Sequence, residues 1–321
     1  MTNMSRRNLI LSATAFGICG LDGYTAPRFA LAAASQPGSG PTVRGDRFGV
    51  GVYNTQQVAD ELRYIEANVR PSNETRRKRI LITGSTAGLG QLAAAHLLRR
   101  GHHIVAHARN EQRAAEARRD LDAVVIGNLL DLDETRSLAG QINALGTFDV
   151  IIHNSGEYGL PDAEILNANS LSPYLLTSLV DTPREAMIYL TSSLHLGGDL
   201  KLHEVRSGGT NVNYNDSKLH MATLATAVAR RRPDLRVNAV APGWVATVMG
   251  FHNGPYAPDN LRAGYMTQVQ LSEGTGPAGQ MTGKFLFHQK EETSVNSSVY
   301  DEKAQDALIA AFEKRTGASL G

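Results

Sequence analysis

Two groups of residues have the types and spacing to do chemistry. The first is Thr83-Gly84-Ser85-Thr86-Ala87-Gly88-Leu89-Gly90, set between the short apolar run Arg79-Ile80-Leu81-Ile82 and an alanine- and leucine-rich run over 91–100. A strand, a glycine turn and a helix in that order open a βαβ unit, whose helix N-terminus offers N–H donors and a positive dipole to phosphate. Gly84 suits a tight turn, Gly88 the close approach of backbone to a pyrophosphate, and Gly90 the packing of helix on strand. A glycine-rich turn taken alone is also compatible with an ordinary loop. The second group is Tyr214 and Lys218, four residues apart and so on one helix face. Reducing a ketone or aldehyde needs hydride at the carbonyl carbon and a proton at its oxygen, so an acid must stand beside the carbonyl. A free phenol titrates at about 10, and an ammonium one helical turn away can stabilise its phenolate. Seen singly, a tyrosine is as well a packed aromatic and a lysine a solvated charge.

These groups need a scaffold, and the hydrophobic pattern predicts one. Strands are expected at about 79–82, 103–107, 123–127, 149–153, 186–190 and 235–241, with a weaker seventh at 284–287. Helical segments lie between them, the first ending at Gly101 and another opening at Asp133. Such alternation predicts an α/β fold: a doubly wound, Rossmann-like parallel sheet of about seven strands with helices on both faces. Before it, Asn54 and Gln57 resemble a capping box, and Val58, Leu62, Ile65 and Val69 form one stripe of a helix that Pro71 ends. This helix carries no chemical constellation and is expected to dock on the main domain.

With the motifs in view, the chain resembles the short-chain dehydrogenase/reductase family. Thr83-Gly84-x-x-x-Gly88-x-Gly90, His153-Asn154-Ser155-Gly156, Asn169, Ser192-Ser193, Tyr214-x-x-x-Lys218 and Pro242-Gly243-x-x-x-Thr247 occur in family order over about 79–249. The resemblance implies a Rossmann-like oxidoreductase using NAD or NADP. Tyr214 would be the acid, Ser193 would hydrogen-bond the substrate oxygen, Lys218 would support Tyr214, and Asn169 would anchor a water linking Lys218 to solvent. The dinucleotide would lie against Thr83, Gly84, Ser85, Thr86, Gly88, Leu89, Gly90, Arg109, Asn128, Asn154, Ser155, Gly156, Tyr214, Lys218, Pro242, Gly243, Val245 and Thr247. Three departures stand out. Ser193 precedes Tyr214 by 21 positions, longer than the family's usual dozen, which places an insertion within 194–213 like that of the retinol-dehydrogenase-like branch and favours a bulky or lipophilic carbonyl. Asn128 replaces the usual aspartate facing adenine, though an amide still hydrogen-bonds a base edge. Ser155 replaces an alanine.

Cofactor choice turns on His107-Ala108-Arg109-Asn110. An NAD enzyme usually has a carboxylate at the end of the second strand for the ribose 2′-hydroxyl. Ala108 stands there, and the guanidinium of Arg109 suits a phosphate dianion, so NADP(H) is favoured over NAD(H). Arg109 could otherwise be a solvated strand-end charge. A lid over the substrate is expected from the aromatic and apolar residues of 251–271. The leading function is reduction of a carbonyl or oxidation of an alcohol; a non-catalytic nucleotide sensor or a scaffold on the same fold are the alternatives.

The composition, 42% hydrophobic and 20% charged over 321 residues, suits one large α/β domain with extensions. Lys and Arg number 32 against 31 Asp and Glu, a net +1, so no global field favours nucleic acid or an anionic membrane. The ten histidines show no metal-like clustering. Residues 1–34 read as a twin-arginine export leader, with Arg6-Arg7 before a mostly apolar run of about 13 residues, too short to span a bilayer, and Ala32-Ala33-Ala34 before Ser35. A plain N-terminal extension is the alternative. The single cysteine, Cys19, falls inside it. The expected divisions are therefore the leader at 1–34, linker and docked helix at 35–78, the catalytic domain at 79–290 and a helical tail at 291–321. A bacterial periplasmic location follows from the leader, a cytoplasmic one without it. The expected partner is a small carbonyl or alcohol, with no nucleic acid, no metal and no membrane span.

Overall fold

The computed structural model describes residues 50–73, 76–117, 121–209 and 211–320. The expected export leader and the Ser/Gly/Pro stretch at 35–42 lie outside the described residues. The described chain opens with α1 (Gln56–Asn68) and then alternates through β1 (Arg79–Ile82), α2 (Gly88–Arg100), β2 (His103–Ala108), α3 (Glu111–Ala117), β3 (Ala123–Ile126), α4 (Leu132–Ala144) and β4 (Val150–His153). Next come α5 (Asp162–Leu166), one π-helical turn at Asn167–Leu171, α6 (Ser172–Leu179), β5 (Ala186–Leu190) and a 3₁₀ turn at Ser193–Gly197. They are followed by α7 (Leu202–Ser207), α8 (Tyr214–Arg231), β6 (Arg236–Ala241), α9 (Leu261–Glu273), β7 (Phe285–Phe287), β8 (Lys290–Glu291) and α10 (Glu302–Thr316).

The strands form one sheet in the order β3-β2-β1-β4-β5-β6-β7-β8, parallel from β3 to β7. The chain winds outward from β1 in both directions, which makes the doubly wound α/β fold and leaves a crevice beyond the strand ends where β1 meets β4. Because both faces are covered, side chains alternate between two cores. Ile80, Ile82, Ile104 and Ile152 face α1, α2 and α9, whereas Leu81, Val105, Ile151, Met187 and Val237 face α4, α6, α8 and α10. The eighth strand is a short antiparallel return after His288 and Gln289, both at positive φ, and no apolar run announces it. Leu308, Ile309 and Phe312 of α10 join the second core, so the C-terminal helix is packed against the domain.

Two local readings differ. The cap of α1 is Thr55, whose hydroxyl accepts from the Val58 N–H, so Asn54 is released for another use. Val58, Leu62 and Ile65 are buried as the stripe requires, and Glu61 ties α1 to α9 by accepting from Arg262 at 2.7 and 2.9 Å and from the Tyr265 hydroxyl at 2.7 Å. The stretch expected as a lid divides, since 261–271 belongs to α9 with Tyr265, Val269 and Leu271 in the core.

Candidate active site

The glycine turn crosses the end of β1 and is held from behind. Gly84 and Gly88 have φ of +64° and +54°, and a Cβ on Gly90 would lie 2.4 Å from Asn154 Nδ2 and 2.6 Å from the Gly84 carbonyl. Glycine is required at these positions by backbone shape and by close approach. Thr83 Oγ1 accepts from the N–H groups of Asn154 and Ser155 at 3.0 Å, and Asn154 Nδ2 donates to the carbonyls of Thr83 and Gly84. Ser85 Oγ donates to the Ile82 carbonyl and accepts from the His107 N–H. His107 Nδ1 accepts from the Gly84 N–H at 3.0 Å, so its proton sits on Nε2, which donates to the Gly127 carbonyl at 2.8 Å. Burial lowers this imidazole to about 4 and keeps it neutral.

In front of the turn lies a cavity of about 610 Å³ whose walls include Gly84, Thr86, Gly88, Leu89, Arg109, Asn128, Asn154, Ser155, Gly156, Tyr214, Lys218, Pro242 and Thr247. Thr83, Ser85, Gly90, Gly243 and Val245 do not line it; Thr83 and Ser85 brace its wall from behind. The N–H of Gly88 is taken by Asn54 Oδ1 at 2.8 Å, while no acceptor among the described residues meets the N–H of Leu89 or Gly90 at the same helix N-terminus. Donors left over at such a terminus, with a backbone no side chain obstructs, fit a dinucleotide pyrophosphate.

Tyr214 opens α8, and Lys218 follows one turn later, its Nζ 5.3 Å from the phenol ring centre and 3.4 Å from the Leu190 carbonyl. Burial lowers Lys218 to about 8. Burial also pushes the Tyr214 phenol well above its ordinary value and nearby Tyr158 adds to this, while the neighbouring Ser192 hydroxyl draws it partway back. Tyr158 stands edge-on to Tyr214 with ring centres 4.9 Å apart. Burial sets the upward direction of this shift, and Lys218 is not among the groups that move the phenol.

Ser193 does not occupy the place expected of it. Ser192, still extended at φ −157°, projects to the side opposite Thr191, whose hydroxyl bonds the Lys218 carbonyl; its own hydroxyl accepts from the Leu194 N–H at 3.2 Å and lies near enough to Tyr214 to affect its titration. Ser193 begins the 3₁₀ turn and is exposed. Strand alternation carried two residues past β5 is the signal that separates the two serines. Asn169 sits in the π-helical turn, where its Oδ1 accepts from the Glu157 N–H at 2.7 Å and its Nδ2 donates to the Glu157 carbonyl and to Ser217 Oγ. A Cβ on Gly156 would meet Lys218 Nζ at 3.0 Å and Asn169 Oδ1 at 3.4 Å, so the absent side chain leaves these groups adjacent. Residues 194–213 hold the 3₁₀ turn and α7, with Val205 and Val212 in the core beside α10.

At the β2 side of the cavity Ala108 is buried and Arg109 is half-exposed in an ion pair with Glu157. Arg113, one helical turn further, lies 3.4 Å over the Tyr53 ring and donates to the Thr86 carbonyl and hydroxyl. This second guanidinium was legible in the spacing Arg109-x-x-x-Arg113 and was missed, as was Tyr53. Asn128 uses its Oδ1 to accept from the Leu130 N–H, leaving its amide N–H groups at the cavity. After β6, Thr247 puts its methyl over Gly88 and its hydroxyl under the Gly250 N–H. Among the described residues no cluster of three metal-ligating side chains occurs, and no helix is long and apolar enough to cross a membrane.

The profile of the short chain dehydrogenase family matches residues 78–193. The chain is 35% identical over 261 residues to short-chain dehydrogenase chry4 of Gibberella zeae, covering 75% of this chain and 98% of that one. It is 28% identical over 211 residues to retinol dehydrogenase 14 of Mus musculus, covering 54% and 63%. A Mycobacterium paratuberculosis protein of uncharacterised function has the same fold, with a TM-score of 0.61 at 22% identity over 79% of this chain and 98% of that one. The chain belongs to the short-chain dehydrogenase/reductase family and is an oxidoreductase of the CH–OH/C=O class.

Proposed function

We propose that the protein interconverts bulky, apolar carbonyls and alcohols with NADP(H) as cofactor. The carrying observation is that the half-buried Tyr214 phenol, with Ser192 nearby and Lys218 one helical turn on, lines the same cavity as the glycine turn and two guanidiniums. The bound nicotinamide supplies or accepts the hydride. Tyr214 hands its proton to the carbonyl oxygen, and Ser192 holds that oxygen near the phenol. Lys218, lowered to about 8, exchanges protons close to neutrality and restores the phenol, and Asn169, adjacent to it across Gly156, holds the water that links it to solvent. Reading the chemistry through Ser192 moves one role by one residue and leaves Asn169, Tyr214 and Lys218 in place.

NADP(H) is supported by the two arginines and by the apolar Ala108 where a carboxylate would reject a 2′-phosphate; Arg109 exchanges Glu157 for that phosphate on binding. An apolar substrate is supported by exposed Trp244, Val248, Met249 and Tyr256 after β6, and by the similarity to a retinol dehydrogenase. With Arg6-Arg7 intact, the full chain is exported to the periplasm, which Arg6→Lys with Arg7→Lys would block. The deciding experiment follows NADPH and NADH consumption with aromatic aldehydes, long-chain aldehydes, steroids and retinal. Turnover with NADPH on bulky members is expected. NADPH binding without turnover on any member would leave a sensor, and preference for NADH would overturn the cofactor assignment.

A further inference from the structure

The segment just before α1 is joined to three walls of the cofactor cleft. Val52 and Tyr53 line the cavity. Asn54, 1% exposed, accepts the Gly88 N–H at 2.8 Å and donates to Gln91 Oε1 at 2.6 Å, which fixes the start of α2. Thr55 donates to the Ala246 carbonyl at 2.7 Å, fixing the segment after β6. Tyr53 lies under the Arg113 guanidinium and accepts from Gln112 Nε2 at 3.4 Å, and Arg113 reaches on to Thr86 in the glycine turn. Behind it, α1 is anchored by Val58, Leu62 and Ile65 in the core and by Glu61 on Arg262 and Tyr265. A structural spacer would need only the last set of contacts.

Strand order shows which half of the cleft this segment covers. β2 and α3, which carry Arg109, Gln112 and Arg113, lie on one side of β1, while β5 and α8, which bring Ser192, Tyr214 and Lys218, lie on the other. Resting on the reading of the cleft as an NADP(H) site, we infer that residues 52–55 form a strap closing the adenosine half, which slows release of the bound dinucleotide. Tyr53 holds the Arg113 guanidinium flat and in place, so less freedom is lost when it meets a phosphate. Asn54 takes the first N–H of α2 and sets the direction of the next two, those of Leu89 and Gly90. Release of the adenosine end requires the strap to part from Arg113, Gly88 or Ala246 while α1 stays anchored.

The test measures NADPH release by stopped flow, using the fluorescence change on displacement from the full chain. Tyr53→Ala is expected to speed release by about tenfold with little change in association, because losses of this kind fall mainly on dissociation. Tyr53→Phe, which keeps the ring under Arg113, should release at the parent rate. Affinity for 2′,5′-ADP should fall in Tyr53→Ala while affinity for nicotinamide mononucleotide stays, and the nucleotide-free melting temperature should not move. Asn54→Ala should resemble Tyr53→Ala; if it fails to fold, the Tyr53 pair still decides. Unchanged release in Tyr53→Ala, or equal losses for both fragments, overturns the strap and leaves the cofactor reading standing. A parent protein that binds neither NADPH nor NADH overturns both.

Discussion

Around the glycine turn, which we read as the nucleotide end of the cavity, side chains are bound to backbone; in the segment after β6, which we read as the substrate end, large apolar side chains stand in solvent, Val248 and Met249 at the cavity and Trp244 and Tyr256 beyond it. Ser85, His107 and Asn154 each bond a main-chain group of the glycine turn or of the strand beneath it, Thr83 accepts from the backbone just after β4, and Thr83, Ser85 and His107 are buried. Trp244, Val248, Met249 and Tyr256 are all more than two-fifths exposed, and what order they have comes from a few contacts such as Trp244 Nε1 to the Gly250 carbonyl at 2.6 Å. One end is determined by the geometry of a turn that any dinucleotide enzyme of this fold must build. The other is determined by whatever apolar surface has to be covered, and a wide range of residues can do that. Tyr214 lies between the two, facing Tyr158, which meets His252 edge-on and accepts from Asn253.

The strongest way to separate the two ends is to remove the acid between them. Tyr214→Phe should lower turnover by about 10²–10⁴, the cost of a lost general acid, with NADPH affinity nearly unchanged because the phosphate contacts are elsewhere. Steady-state rates and a nucleotide titration on the same preparation check this. Equal turnover by mutant and parent would remove Tyr214 from the chemistry and with it the division between the two ends.

Gly90→Ala should break the nucleotide end instead. The new methyl carbon would lie 2.4 Å from Asn154 Nδ2 and 2.6 Å from the Gly84 carbonyl, and backbone cannot yield as a flexible side-chain tip can. Relieving such overpacking costs about 1–3 kcal/mol, so NADPH affinity should fall by about ten- to a hundredfold with some loss of stability. Calorimetric titration and thermal melting give both numbers. Parent-like affinity would show that the turn tolerates more than its contacts imply.

The same contrast explains what was legible in the sequence. Gly84, Gly88, Gly90, Tyr214 and Lys218 could be placed because turn geometry and helix spacing fix them, and the parallel sheet followed from apolar runs buried on both faces. Which of Ser192 and Ser193 faces Tyr214 depends on how far the chain stays extended past β5 before it turns, which a pair of serines does not disclose. Asn54 was assigned to a helix cap because a local pattern describes it equally well; its partner Gly88 is 34 positions away. Residues 261–271 read equally as lid or core helix in the sequence, because aromatic and apolar residues suit both. The pairing of Tyr53 with Arg113 depends on tertiary placement, for which no periodicity gives a signal.

Acid should also discriminate between the two ends. His107 is lowered to about 4 in the folded protein, by burial first, whereas in the unfolded chain it titrates at about 6.5. The unfolded state therefore binds more protons between these values, and the stability from neutral His107 is complete above about 6.5 and lost as pH falls toward about 4. Protonation would also set an N–H against the Gly84 N–H, opening the glycine turn. Melting temperature should fall over this window, with His153, held to about 3, and His220, held to about 4, contributing in the same direction. His107→Asn should reduce the slope by up to about 1.4 kcal/mol per pH unit, the value for one proton. A slope unchanged by that substitution would assign the acid sensitivity to the other histidines.

The smallest expected effect is at the substrate end. Trp244 is 47% exposed and stands edge-on to Tyr256, itself 63% exposed, with ring centres 5.4 Å apart, so truncating either removes little packing from the fold. If these rings border the path of an apolar substrate, Trp244→Ala or Tyr256→Ala should raise KM by about two- to fivefold for a bulky ketone, the scale of one partly buried apolar contact. For a small aldehyde, KM should barely change, since such a substrate does not extend to the mouth. NADPH affinity and melting temperature should be unaltered in both variants. A uniform rise of KM across large and small substrates would mean that the two rings order the segment after β6 as a whole, for Trp244 also bonds the Gly250 carbonyl and Thr247 on the same segment caps Gly88. In that case the mouth would be coupled to the glycine turn, and the line between a fixed nucleotide end and a permissive substrate end would have to be drawn beyond Gly250.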